Sequence, residues 1–432
     1  MTKGRQKFLL VFILGSLFLL PNFYRNKWNI VNSTYYEEWQ TRYDRLVIAR
    51  LVKTRQEGFF SAGGLLGLGD VTNWSYETRT NKHQYKTYLE NGEFQTYISY
   101  RSNPGLQGIL YGILDKIPVI PPKQKLQLFR GLTALASAMV FALGAAVAAR
   151  ELGLLAGLLV LLSAFFSDWL ILPAGSIFYN LWAFYLPAIF AAYLLTRGVK
   201  KGEYPAALIH WGLFGCMLIK IFFSGFELIT TALIMATVPF IHFAVLYKCP
   251  WKEFLMRMIK VVGVLMAGIV MGLCVLAIQI AVMEHNFLGA MSYLRYTVDR
   301  RITGSSENYV SVLADSMNAS VFTVIGKYLS ANAMTIPLPQ ATINIAYWQL
   351  IAVFLFMTVV LYLRGRLKGN VKNVALVGTT WYSILAPLSW YVIFKPHSYI
   401  HTHIYPMAWE MPFVPLGFAL CGFVITDLFR RR

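Results

Sequence analysis

Apolar runs set the rhythm of the chain. Ten stretches, about 7–24, 126–148, 152–167, 179–196, 206–223, 227–247, 261–282, 344–363, 374–394 and 411–428, carry few or no charges. Most are long enough for an α-helix to cross a hydrocarbon core of roughly 30 Å, the third being the shortest. Between the first and second lies a contrasting polar segment, Arg25 to Gln107. Within it, Trp39 to Val52 has apolar residues at helical spacing. Leu46, Val47, Leu51 and Val52 share one side, and Arg42, Arg45 and Arg50 take other faces. That pattern predicts a helix lying at a membrane surface. A second amphipathic stretch, Ile109 to Ile117, is stopped by the prolines at 118, 121 and 122. The expected fold is an all-α polytopic membrane protein, with about ten transmembrane helices and a large first extracytoplasmic loop that carries interfacial helices. Its parts would be an anchor at 1–24, the loop at 25–125, and a multi-span domain at 126–432 with a second outside loop at 283–343.

Composition agrees. Hydrophobic residues make up 57% of the chain and charged ones 14%, where a soluble protein carries about a quarter. A net charge of +19 would suggest nucleic acid as the partner of a soluble chain. Here the basic residues flank the spans, so the expected partners are membrane lipids and no nucleic acid. Lys3, Arg5, Lys7, Arg150, Arg197, Lys200, Lys201, Lys248, Lys252, Arg257, Lys260, Arg364, Arg366, Lys368, Lys372 and the arginines 430–432 fall on one side. The short loops opposite, near 168–178 and 224–227, have no Lys or Arg. By the positive-inside rule both termini are cytoplasmic. The segments 25–125, 168–178, 283–343 and 395–410 then lie outside. The first apolar run lacks a small-residue cleavage pattern and reads as a retained anchor. The four cysteines form neither a disulfide framework nor a zinc spacing. No phosphate-binding glycine motif is present, which argues against a nucleotide substrate.

Several polar groups on the outer side are candidates for chemistry. Asp44, about twenty residues after the first span, is a candidate general base, with Glu37 and Glu38 as rivals. The plainer reading is a solvated acid paired to Arg42 or Arg45. Asp168 stands at the outer end of the third span, either in water or completing a site with Asp44. Lys220 lies inside an apolar run and must snorkel, pair or face a wet cavity. Glu227, across the tight turn, is its nearest partner. Arg300 and Arg301 are suited to an anion, although adjacent residues on an α-helix diverge by about 100°, so one of the two is expected to face a site. His397, Tyr399, His401 and His403 form the densest polar cluster. Without a nearby carboxylate or an HExxH pattern they suit hydrogen bonding to a phosphate or sugar better than a metal.

One span, a large outside loop with an early acid, and then paired spans resemble the GT-C superfamily of polyprenyl-phosphate-dependent glycosyltransferases. The stretch Asp44-Arg45-Leu46-Val47-Ile48-Ala49-Arg50, continuing to Gly63-Gly64-Leu65, is similar to the first-loop motif of its bacterial members. The resemblance implies sugar transfer from a polyprenyl-phosphate donor to a cell-surface glycan or lipid-linked acceptor at the plasma membrane, with inversion. It implies Asp44 as base; under that reading Asp168, Lys220, Glu227, Arg300, Arg301, His397, Tyr399 and His401 are the candidate substrate contacts. Many members carry paired acids, where Arg45 follows Asp44 here; a divalent metal, Mg or Mn, is the cofactor at issue. The alternative is a lipid or polysaccharide flippase, against which stands the absence of repeat symmetry and of evident broken helix pairs.

Overall fold

The computed structural model describes residues 3–71, 78–199, 204–308 and 312–429. Lys200, Lys201 and the arginines 430–432 of the orientation argument lie outside them. The protein is nearly all-α. Its first helix, α1 (Lys3–Arg25), leads into a loop holding α2 (Ser33–Glu57), α3 (Thr78–Leu89) and α4 (Leu106–Asp115). Then come α5 (Pro122–Leu152), α6 (Leu154–Phe166), α7 (Asp168–Ala174), α8 (Leu181–Val199), α9 (Ala206–Ser224), α10 (Ile229–Leu246) and α11 (Trp251–Glu284). The second loop carries α12 (Phe287–Val298), α13 (Val312–Asn318) and α14 (Val321–Leu329). The chain ends with α15 (Tyr347–Leu363), α16 (Val371–Ser383), α17 (Leu385–Ile393), α18 (Lys395–Ile400) and α19 (Phe413–Phe429).

Among the described residues, six helices are long and apolar enough to cross a membrane: α1, α5, α8, α9, α10 and α11. A seventh span is formed if α6 and α7 are taken together, but they bend by 71° at Ser167. The third apolar stretch is therefore a broken element, which the apolar pattern did not reveal. The ninth is also divided, into α16 and α17. Small residues allow the bundle to close. Ala134, Ala138, Ala142 and Ala145 are fully buried along α5. A Cβ on Gly422 of α19 would lie 2.6 Å from the Ala156 Cα of α6, so those two backbones touch.

The first loop departs from the interfacial reading. Asn32 caps α2 by accepting from the Tyr35 N–H, and Gly58, at φ 91°, ends it. Between these ends every residue from Tyr43 to Val52 is buried, so α2 does not lie flat with one face in water. Its polar side chains are satisfied inside the protein. Arg50 donates to the Ser61 carbonyl at 2.6 Å and to those of Gly58 and Phe59. Arg55 pairs with Asp115 of α4 at 2.6 Å. A short antiparallel pair, β1 (Gly67–Gly69) with β2 (Tyr97–Ser99), closes the loop against α2. The loop is thus a folded cap. The second loop contains an unanticipated antiparallel hairpin, β3 (Asn332–Leu338) with β4 (Ala341–Ala346), with a register shift between Asn332 and Met334.

Candidate functional site

The cap, the second loop and the segment before α19 meet around a cavity of about 710 Å³. Arg42, Tyr43, Arg45 and Leu46 of α2 form one wall, and residues 98–102 continue it from β2. Phe178 and Tyr179 come from the segment before α8, and Glu227 from the turn between α9 and α10. Tyr293, Tyr296, Arg300 and Arg301 approach from the second loop, and His397, Ile400, His401, His403, Ile404 and Tyr405 from the last one. Five guanidiniums, three imidazoles and a single carboxylate thus line the space. Arg101 is paired with Glu284 and lies 5.2 Å from the Tyr293 ring centre.

Both Arg300 and Arg301 reach this cavity, where α-helical spacing allowed for one. The reason is local: α12 gives way at Asp299–Thr303 to a π-helical turn, whose i→i+5 bonding changes the angle between successive side chains. Arg301 is buried, with Nη2 3.3 Å from the Ser102 Oγ and Nη1 3.8 Å from Glu227 Oε1. Its Nε is buried without a hydrogen-bond partner. Arg300 lies 5.6 Å from the Tyr296 ring centre.

Glu227 is the hub. Its Oε2 accepts from the Tyr405 hydroxyl at 2.5 Å and stands 3.7 Å from His397 Nε2. Burial raises the Glu227 carboxyl, but His397, Arg301 and Tyr405 more than offset it and hold it well below the usual carboxylate range. Burial, together with the Arg301 charge, depresses His397 to about 4. Burial and neighbouring His397 take His401 to about 3, and burial and His401 take His403 to about 4. Burial thus favours the neutral form of these imidazoles, and the arginines supply most of the cavity's positive charge.

The other candidates lie elsewhere. Asp44 is fully buried behind the Phe178–Tyr179 wall and outside the cavity. Its Oδ2 accepts from Arg130 Nε at 2.8 Å, and Oδ1 from the Ser176 hydroxyl at 2.8 Å and the Phe178 N–H at 3.4 Å. Burial raises its carboxyl and the Arg130 charge opposes that. Arg130, on α5, had no mark in the sequence beyond a charge near the start of an apolar run. Asp44 pairs with this distant arginine and not with Arg42 or Arg45. Glu37 and Glu38 are exposed on α2, away from the cavity. Asp168 does not join Asp44 in a site, because Asn332 and Thr335 of the hairpin donate to its Oδ2 at 2.7 and 2.9 Å. Lys220 is fully buried and donates to the backbone carbonyls of Gly225 and Glu227 at 2.8 and 2.5 Å. It therefore fastens the turn that presents Glu227. Tyr399 faces Lys327, whose ammonium lies 3.6 Å from its ring centre. Tyr100, Arg101 and Tyr405 were missed; only aromatic and basic residues in outside loops hinted at them.

Metal coordination finds no support in this donor set. Asp44 already accepts from three donors, and the cavity offers one carboxylate against five arginines. Among the described residues no group of three or more His, Cys, Asp or Glu side chains is arranged to hold a metal ion. A second cavity, of about 170 Å³, is lined almost wholly by apolar residues of α5, α8, α10 and α19, Phe141, Tyr185, Met235 and Pro239 among them. No family model matches the chain, and neither curated proteins nor solved structures give a match.

Proposed function

We propose that this chain is an integral-membrane glycosyltransferase that takes a sugar from a polyprenyl-phosphate donor and passes it to a cell-surface glycan or lipid-linked acceptor. The cationic cavity carries this reading. Its volume falls within the range of small-molecule sites, and it gathers five arginines around one carboxylate where the outside loops converge. The loop charges support ten spans, cytoplasmic termini and a site on the outer face of the plasma membrane, where a donor must arrive through the bilayer. As the sugar leaves, negative charge grows on the phosphate oxygens. In this reading Arg300 and Arg301, which line the cavity, receive that charge, and fixed guanidiniums do so without reorganisation.

The experiment is incubation of purified protein with a panel of polyprenyl-phosphate sugars, following release of the lipid phosphate. Loss of one such charge-stabilising donor typically lowers kcat by about 10²–10³-fold, the expected effect of Arg301→Gln. Silence with every donor, together with lipid movement across liposomes, would replace this reading with a flippase. The bent α6–α7 pair is the observation on that side, since discontinuous helices recur in transporters.

A further inference from the structure

Sugar transfer needs a group to take the acceptor's proton, and this inference rests on the function proposed above. The first-loop acid is poorly placed for that task, being saturated behind the cavity wall. Glu227 faces the cavity, but its surroundings stabilise the anion and make it a weak proton acceptor. Beside it stands His397, about nine-tenths buried yet lining the cavity, with Nε2 3.7 Å from the Glu227 carboxylate. We propose that His397 is the general base of the transfer, with Glu227 as the residue that orients its ring.

A carboxylate on one ring nitrogen fixes the tautomer and leaves the other nitrogen to accept a proton. Nε2 is buried without a hydrogen-bond partner and stands 3.7 Å from the Glu227 carboxylate, a gap that closes to a hydrogen bond when the substrate binds and leaves Nδ1 as the accepting atom. Tyr405 holds the same carboxylate oxygen at 2.5 Å, and His401 packs against the His397 ring with centres 4.5 Å apart. In the step, the acceptor oxygen bonds to the anomeric carbon while the bond from that carbon to the phosphate oxygen breaks. The acceptor's proton passes to His397, and the electron pair leaves on the phosphate between Arg300 and Arg301. The imidazolium later returns its proton to water.

The surrounding charges couple this base to the donor. Arg300 and Arg301 of the π turn oppose a charge on His397, and Glu227 favours one. Asp299 stands on the same turn, and Asp315 and Lys327 on α13 and α14 packed against α18; Lys327 is directed at Tyr399. A phosphate bound by the two arginines offsets their share of the depression, while burial, the larger cause, remains. The His397 pKa then moves upward, which makes the ring a stronger proton acceptor while the donor is bound. Anion binding should therefore be accompanied by proton uptake at His397 below neutrality.

Two measurements on the full chain in nanodiscs test this. With a donor that the wild type turns over, His397→Ala should lower kcat by about 10²–10⁴-fold while the donor KM stays within a few-fold. Added imidazole should restore part of the rate, which a merely structural loss would not allow. Glu227→Gln should move the acid limb of the kcat profile to lower pH, because the imidazolium loses its counter-charge. Farnesyl phosphate has a second ionisation at about pH 6 that arginines drive toward the dianion, so its binding at pH 6, measured calorimetrically in two buffers, should show more net proton uptake in the wild type than in His397→Gln. Turnover within three-fold of wild type in His397→Ala overturns the proposal, as does a defect confined to KM without imidazole rescue. Equal proton exchange in the wild type and His397→Gln overturns the coupling. Absence of turnover by the wild type with every donor instead removes the transferase reading, and the base role with it.

Discussion

Replacing Asp44 by asparagine removes the charge against which Arg130 is folded. The carboxylate accepts from Arg130, Ser176 and the Phe178 N–H, and its side chain has no exposure, whereas that of Arg130 is 25% exposed. Removing one partner of a fully buried ion pair costs about 3–5 kcal/mol. Arg130 can draw some water, and asparagine can still accept from Ser176, so Asp44→Asn should fall near the lower end, about 3 kcal/mol. Arg130→Met should be worse at neutral pH, because it strands a carboxylate with no access to solvent. That loss should shrink as pH falls, since burial already raises the Asp44 carboxyl and protonation then removes the stranded charge. The double variant should recover part of the difference, with a coupling of about 1–3 kcal/mol between the two sites. With the half-buried Cys249 and the exposed Cys274 replaced by serine, a thiol-reactive fluorogenic dye can follow thermal unfolding in detergent, because Cys216 and Cys421 are buried until the bundle opens. If Asp44→Asn kept the wild-type midpoint and coupling to Arg130 were absent, while turnover vanished, the structural assignment would be wrong and Asp44 would return as a catalytic acid.

Three further outcomes are expected. Burial raises the Glu410 carboxyl to about 8, so the native state holds a proton that the unfolded chain releases near its ordinary value of 4.5. Stability should then fall as pH rises from about 4.5 to 8, by at most about 1.4 kcal/mol per pH unit, and Glu410→Gln should flatten that slope in unfolding scans. Gly422→Val should push α19 away from α6, given the 2.6 Å approach to Ala156, and lower stability by about 1–3 kcal/mol in the dye assay. Arg301→Gln should weaken farnesyl phosphate binding about ten-fold or more, as loss of a charged hydrogen bond implies, and reduce its sensitivity to ionic strength; an unchanged calorimetric affinity would place the anion elsewhere.

The apolar stretches were legible because helix formation in them is local: the run at 206–223 becomes α9, Ala206–Ser224, almost residue for residue. Breaks were harder to see. Ser167 bends α6 into α7 without any proline or glycine at the joint. The early acid was misread for a different reason. Spacing around Asp44 describes its own helix, but its burial is decided by Arg130, Ser176 and Phe178, which lie 86 to 134 residues away. The arginine pair was read with α-helical geometry, and the π turn altered it. Spacing suggested Glu227 as the side-chain partner of Lys220. The lysine nevertheless binds carbonyls, because the tight Gly225 turn brings those closer than the side chain.

The cavity walls are drawn from both extremes of the chain, from Arg42 near the start to Tyr405 near the end. Chains fold progressively as they leave the ribosome, so the cap can form long before its opposite wall exists. Throughout synthesis the arginines of α2 remain without the histidines and Tyr405 that complete the pocket. A chain cut short before residue 397 would retain most of the bundle and none of the last wall. Anion capture would then serve as a readout of complete biogenesis, reporting that the final loop has reached its place.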